Sequence, residues 1–171
     1  GAWGQVRHTL GHLAQLPDLR RFLFCTVLYQ AGIQAVITLA AIYANQAFHF
    51  TTQQTIVLVL VVNVTAAIGA FFFGHVQDRI GHVRAIAVTL VAWIVMVALA
   101  WAAPDERMFW VAANLAGLAM GASQSAGRAM IGLLAPPRHQ AEFFGLWGLA
   151  VKLASILGPL TYGVASWATG N

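Results

Sequence analysis

The sequence predicts an all-α integral membrane protein with five transmembrane helices. Three observations lead there. Of its 171 residues, 60% are hydrophobic and 8% are charged, whereas a soluble domain carries about 25% charged residues. Five apolar runs, near 22–44, 55–74, 85–103, 108–134 and 142–168, are each long enough to cross a hydrocarbon core of about 30 Å. No segment of about ten residues alternates apolar with polar, which argues against a membrane β-barrel.

Ahead of the first run, residues 5–16 place Val6, Leu10, Leu13 and Leu16 at helical spacing, and Pro17 closes the segment. Residues 1–19 therefore read as an amphipathic helix at the membrane surface or as a soluble linker helix. They hold no apolar core segment, so they are not a signal peptide. Residues 20–171 form the transmembrane bundle. The first span carries Thr26, Gln30, Gln34 and Thr38 four residues apart, a polar stripe that must meet an aqueous cavity or another helix.

The second and third spans are separated by GHVQDRIGHVR, residues 74–84, read as a loop. The third span has Thr89 as its one polar interior residue and is expected at the lipid-facing periphery. The fourth carries Asn114, Gly117, Gly121, Gln124 and Arg128 at steps of three and four, hence on one face. Close helix packing accounts for the glycines but not for Arg128. That residue sits about 9 Å from the end of its span, so facing a cavity and snorkelling to the surface both remain open. The fifth span holds Lys152 roughly 15 Å deep, where snorkelling is hard. No Asp or Glu lies inside any span, so Lys152 must find its anion in another part of a longer chain or in a substrate. Gly158-Pro159 reads as a kink or hinge.

The nine Lys and Arg residues give a net charge of +4. They are scattered between apolar runs without a basic stripe, which argues against nucleic-acid binding. Arg7, Arg20, Arg21, Arg79, Arg84 and Arg138 fall on one side of the five-span topology and Arg107 on the other. The positive-inside rule then places the N-terminus, the 75–84 loop and the 135–141 loop in the cytoplasm. An odd number of spans leaves Asn171 outside, and the chain is expected to stop one helix short of an even count. The single cysteine, Cys25, offers no disulfide within the chain. His8 and His12 lie four apart without a third ligand, and Ser123 and Ser125 lack a base. No catalytic, metal or cofactor site is expected, and no enzyme.

Gly74, Asp78, Arg79, Gly81 and Arg84 match the G-x-x-x-D-R-x-G-x-x-R pattern between spans of the major facilitator superfamily. More narrowly, the chain resembles bacterial members of the "unidentified major facilitator" family, relatives of the yeast vacuolar amino-acid effluxer. The stretches 69–81, 117–137 and 141–160 carry the likeness, with Gln124, Arg128, Glu142, Lys152 and Gly158-Pro159 on family positions. Two departures lower the polarity of the expected cavity. Gln30-Ala31 stand where the family often has an acidic residue, and Gly127 and Ala129 replace serines beside the arginine.

The resemblance implies five helices of a six-helix half-bundle, the C-terminal half of a transporter working by alternating access. Residues 74–84 would act as a conformational gate, and Gln30, Gln34, Gln124, Arg128 and Lys152 would bind a small solute, amino-acid-like or anionic. The implied partners are the lipid bilayer, that solute and an N-terminal half of the same chain. The implied location is a bacterial inner membrane; efflux is the activity of the yeast relative, and the direction here stays open. A non-transporting sensor or scaffold that kept the fold is the alternative.

Overall fold

A computed structural model describes residues 11–169. Five long helices follow one another: α1 (Pro17–Phe48), α2 (Thr52–Ile80), α3 (His82–Trp101), α4 (Glu106–Leu134) and α5 (Gln140–Thr169). A 3-10 turn, Pro137–His139, precedes α5. The described residues contain no strand. Four segments, Pro17–Phe48, Thr52–Ile80, His82–Trp101 and Pro137–Ala168, are long and apolar enough to cross a bilayer.

The fourth expected span differs. At 29 residues α4 is long enough, but it does not meet the same test of apolarity. Asn114, Ser123, Gln124, Ser125 and Arg128 dilute its apolar character. The cause is visible in its burial. Phe109, Ala112, Ala119, Ala122, Ala126 and Met130 are all nearly inaccessible, so little of α4 needs to satisfy lipid, and its inner face tolerates polar and small residues.

The helices also run further into the polar breaks than hydropathy suggests. Pro17 closes the preceding segment and is itself the first residue of α1, where a missing N–H costs nothing. Arg20 N–H donates to Leu16 O at 3.0 Å, tying the two segments together. Thr51 starts α2 with a capping box. Its hydroxyl accepts from Gln54 N–H, while the Gln54 side chain accepts from Thr51 N–H at 2.9 Å.

The largest correction concerns residues 74–84, which do not form a loop. Helix α2 continues to Ile80, and α3 begins at His82. Gly81 alone turns the chain, with φ 85° and ψ 152°. A side chain at that φ would be strained, so the second glycine of the pattern is required by the backbone. Gly81 N–H donates to Gln77 O and Ala85 N–H to Gly81 O, both at 2.9 Å.

The chain divides into two compact units. One comprises the residues up to Ala35 and from Ile131 onward. The other is Val36–Met130. In the first, Leu19, Leu23, Ile131, Phe143, Trp147 and Ala150 form a core, and Leu13 and Leu16 pack against it. The described end of the expected amphipathic segment is therefore docked on helices. Val6, Arg7, His8 and Leu10 of that segment lie outside the described residues.

In the second unit α2 and α4 cross with their backbones in contact. A Cβ added to Gly117 would stand 2.7 Å from Val62 O, and one on Gly121 would overlap Ala66. Gly69 meets the Leu118 backbone in the same way from the α2 side. Helix α3 buries Ala85, Thr89, Trp93 and Met96 and exposes Val88, Val91, Ile94, Val95 and Val97. It thus presents one narrow stripe inward and aliphatic surface outward.

Candidate functional site

The polar stripe of α1 belongs, up to Gln34, to the first unit. Thr26 is fully buried, and its hydroxyl donates to Phe22 O at 2.9 Å within the helix. Gln30 is 4% exposed, so its amide is enclosed by protein rather than open to a wide cavity. One turn on, Gln34 is half-buried. Helix α5 meets α1 here. A Cβ added to Gly158 would lie 3.0 Å from Ala35 N and 3.1 Å from Gln34 Cβ. Gly158 is therefore a point of close approach. Pro159 follows inside a continuous α5, where its ring removes one helical hydrogen bond and leaves the Ser155 carbonyl without its usual donor.

Lys152 is exposed near the middle of α5. Six residues separate it from Gly158, which at 3.6 residues per turn places it about 120° around the helix from the α1 contact. It therefore does not point at the Gln30–Gln34 stripe. Its face of α5 also carries Gly145 and Gly148, around which a Cβ would meet nothing within 4 Å. Ser155 Oγ donates to Lys152 O at 2.7 Å, so that hydroxyl is turned to the backbone. Lys152 takes part in neither the Arg21–Asp18 ion pair at 3.7 Å nor the His139–Glu142 contact at 3.5 Å.

Gln124 and Arg128 belong to the second unit, the one half-buried and the other exposed. They continue the α4 edge on which Gly117 and Gly121 press against α2. Asn114, on the same edge, donates to Trp110 O at 2.8 Å. Ser123 is structural. It donates to Ala119 O at 2.7 Å and accepts from Trp93 Nε1 at 3.5 Å, which holds the tryptophan against α4.

Of the five residues of the gating pattern, Gly74 is half-buried and Asp78, Arg79, Gly81 and Arg84 are exposed. Asp78 and Arg79 lie in the last turn of α2, and Arg84 in the first turn of α3. No ion pair among the described residues involves Asp78. Two neighbours that sequence reasoning passed over stand out. Gln77 is 7% exposed with its Oε1 buried and unbonded, and His82 Nδ1 is likewise buried and unbonded. Both flank Gly81. A buried orphan acceptor costs about 1–3 kcal/mol, so the turn carries unmet polar groups beside a backbone position that suits glycine. A glutamine inside a charged motif reads as solvated, which is why the pattern gave no hint of it.

No group of three or more His, Cys, Asp or Glu side chains among the described residues is placed to hold a metal ion. His12 and His139 approach with ring centroids 5.0 Å apart, and His8 lies outside the described residues.

Comparison with known proteins places this architecture. Residues 1–171 match the family described as "Vacuole effluxer Atg22 like". The chain is 27% identical over 167 residues to an uncharacterized MFS-type transporter, YxiO, of Bacillus subtilis, covering 98% of this chain and 39% of that protein. It is 28% identical over 188 residues to autophagy-related protein 22 of Cryptococcus neoformans, covering 99% of this chain and 33% of that one. Autophagy-related protein 22 of Candida glabrata is 21% identical over 180 residues, again with 99% of this chain covered. The chain thus spans two fifths or less of the length of these relatives. No solved structure matches it. With its apolar helices and a family match over its full length, this chain is an integral membrane protein, not an enzyme, and belongs to the Atg22-like vacuole effluxer family of major-facilitator-type transporters.

Proposed function

We propose that this chain is the part of a secondary transporter that supplies one wall of the translocation path, and that it moves a small solute bearing an anionic group by alternating access. The observation that carries the reading is Lys152. A cation midway along a membrane helix is costly unless it meets an anion or water. Lys152 is on the exposed face of α5, beside glycines with open space around them, and no Asp or Glu stands in the interior of the helices. An amino-acid carboxylate has the charge and size to be its partner. Gln34, Gln124 and Arg128 would add donors along the path, while Gln30 would hold the polar lining in place from within the helix packing.

Relatives more than twice as long would provide the opposing wall from their remaining helices. In that arrangement the N-terminus and the α2–α3 turn face the cytoplasm, in keeping with Arg79, Arg84 and Arg138 on that side. Asp78 and Arg79 would engage the opposing wall in one state and release it in the other. The membrane is a bacterial plasma membrane, and efflux is the direction.

The test is counterflow of candidate amino acids in proteoliposomes made with the full-length protein. Lys152→Gln is expected to lower transport by at least tenfold while leaving folding intact, because it keeps an unbranched polar side chain and removes the charge. Lys152→Arg is expected to retain part of the activity. Transport unchanged in Lys152→Gln would remove the anion-binding assignment.

A further inference from the structure

The second unit holds an apolar cavity of about 230 Å³, open at one side, that takes no part in the proposed transport path. Its walls come from α1, α2, α3 and α4, and it contains none of Gln30, Gln34, Gln124, Arg128 or Lys152. Alanines make the space: Ala40, Ala44, Ala100, Ala113 and Ala116 stand where larger apolar residues would fill it.

Chemistry makes water a poor occupant. Thr55 and Asn63 are the polar residues on the wall. The Thr55 hydroxyl donates to Thr51 O at 3.1 Å, and the Asn63 amide donates to Val59 O at 2.7 Å, both within α2. A buried water needs two to four polar partners, and apolar cavities of roughly 150 Å³ stay dry yet accept benzene or xenon. An empty cavity of this size is destabilising, because its lining loses dispersion contacts.

Geometry points to where the filler comes from. One end is stoppered by aromatic packing. Ala44 and Phe109 belong both to the cavity wall and to the cluster with Phe50, and Phe50 stacks on Trp110 at 6.1 Å. At the side, Ile37 and Val59 line the cavity and are also exposed, by 36% and 54%. Val59 is continuous with Ile56, Leu60, Val64 and Ile68, the exposed aliphatic surface of α2. In a membrane-spanning helix that surface meets hydrocarbon.

We propose that this cavity is an acyl-chain site, filled by the hydrocarbon tail of a bilayer lipid that enters beside Val59 and is stopped by the Phe50–Phe109 cluster. The lipid would serve as a packing element of the helical unit. Trp93 lines the cavity, is 5% exposed and is held by Ser123, so it reports on the occupant.

The test uses the full-length protein with Trp93 as its one tryptophan, reconstituted in phosphatidylcholine with brominated acyl chains. Bromine quenches tryptophan fluorescence on close approach. A matched protein keeping only Trp101, which is 86% exposed, serves as the lipid-facing control. Trp93 is expected to be quenched, and Ala113→Leu, which fills the cavity, is expected to remove at least half of that quenching while Trp101 quenching stays the same. If Ala113→Leu does not fold, Ala40→Leu fills the space from α1 and the same difference is read. Absence of Trp93 quenching, as would follow if a protein segment occupied the cavity, overturns the proposal. So does quenching that neither substitution changes. The readout needs no transported solute, so it stands apart from the failure of the transport reading.

Discussion

The glycines of α4 and the glycines of α5 occupy helices of nearly equal length and do opposite work. Gly117 and Gly121 are pressed against α2, where a Cβ would collide with Val62 O and with Ala66. Gly145 and Gly148 face open space. In α4 the missing side chain brings two backbones together, and the cost of glycine in a helix, about 1 kcal/mol relative to alanine, is offset by close packing. For Gly145 and Gly148 of α5 that cost has no such offset among the described residues, and their face is the one that carries Lys152. The same residue type therefore marks a backbone contact in one helix and an open face in the other.

The sharpest way to break this contrast is Gly121→Leu. The side chain has no path that avoids the Ala66 backbone, so α2 and α4 must separate. Over-packing ordinarily costs about 1–3 kcal/mol, and a backbone collision is expected to exceed the upper figure. Thermal unfolding in detergent should show a large fall in midpoint or a failure to fold. A midpoint within a degree or two of the parent would mean that the helices do not cross there.

Gly158→Ala tests the exception within α5. It places a Cβ against Ala31 and Ala35 on α1, and a loss of about 1–3 kcal/mol is expected, measurable by the same unfolding. No loss would show Gly158 to be a hinge alone rather than a contact. Gly148→Ala has the smallest expected effect, and its sign is reversed. With nothing near the added carbon, helix propensity should stabilise the protein by up to about 1 kcal/mol. Destabilisation would mean that another element covers this face in the whole protein. A stable variant with impaired transport would tie the open face to the path.

Much of the helical layout could be read from hydropathy, yet its limits explain where reading stopped. The breaks at 45–54, 104–107 and 135–141 are close to the observed connections, because charged and amide groups enter hydrocarbon only at high cost. The 74–84 segment misled, since its charges describe solvation and not backbone conformation. A helix end that emerges into water stays helical while looking like a loop. Of the candidate site, Lys152 and Arg128 were legible because charge inside an apolar run is conspicuous. Gln77 and His82 were not, because polar residues in a charged stretch look solvated until the fold buries their polar atoms.

By itself the sequence determined that the chain lives in lipid, that it is built of long helices without a membrane β-barrel, and which residues carry charge into the apolar spans. These follow from the transfer cost of single residues, a local property. Only the tertiary structure decided that Gly81 alone turns α2 into α3, that Gly117 and Gly121 are locked while Gly148 is open, that Lys152 points away from the α1 stripe, and that five alanines line one apolar cavity. All of these depend on how each helix is rotated about its own axis. In lipid that rotation is not set by apolar content, because tails and neighbouring helices are equally apolar. It is set by which surfaces interlock, and interlocking is a property of pairs of helices.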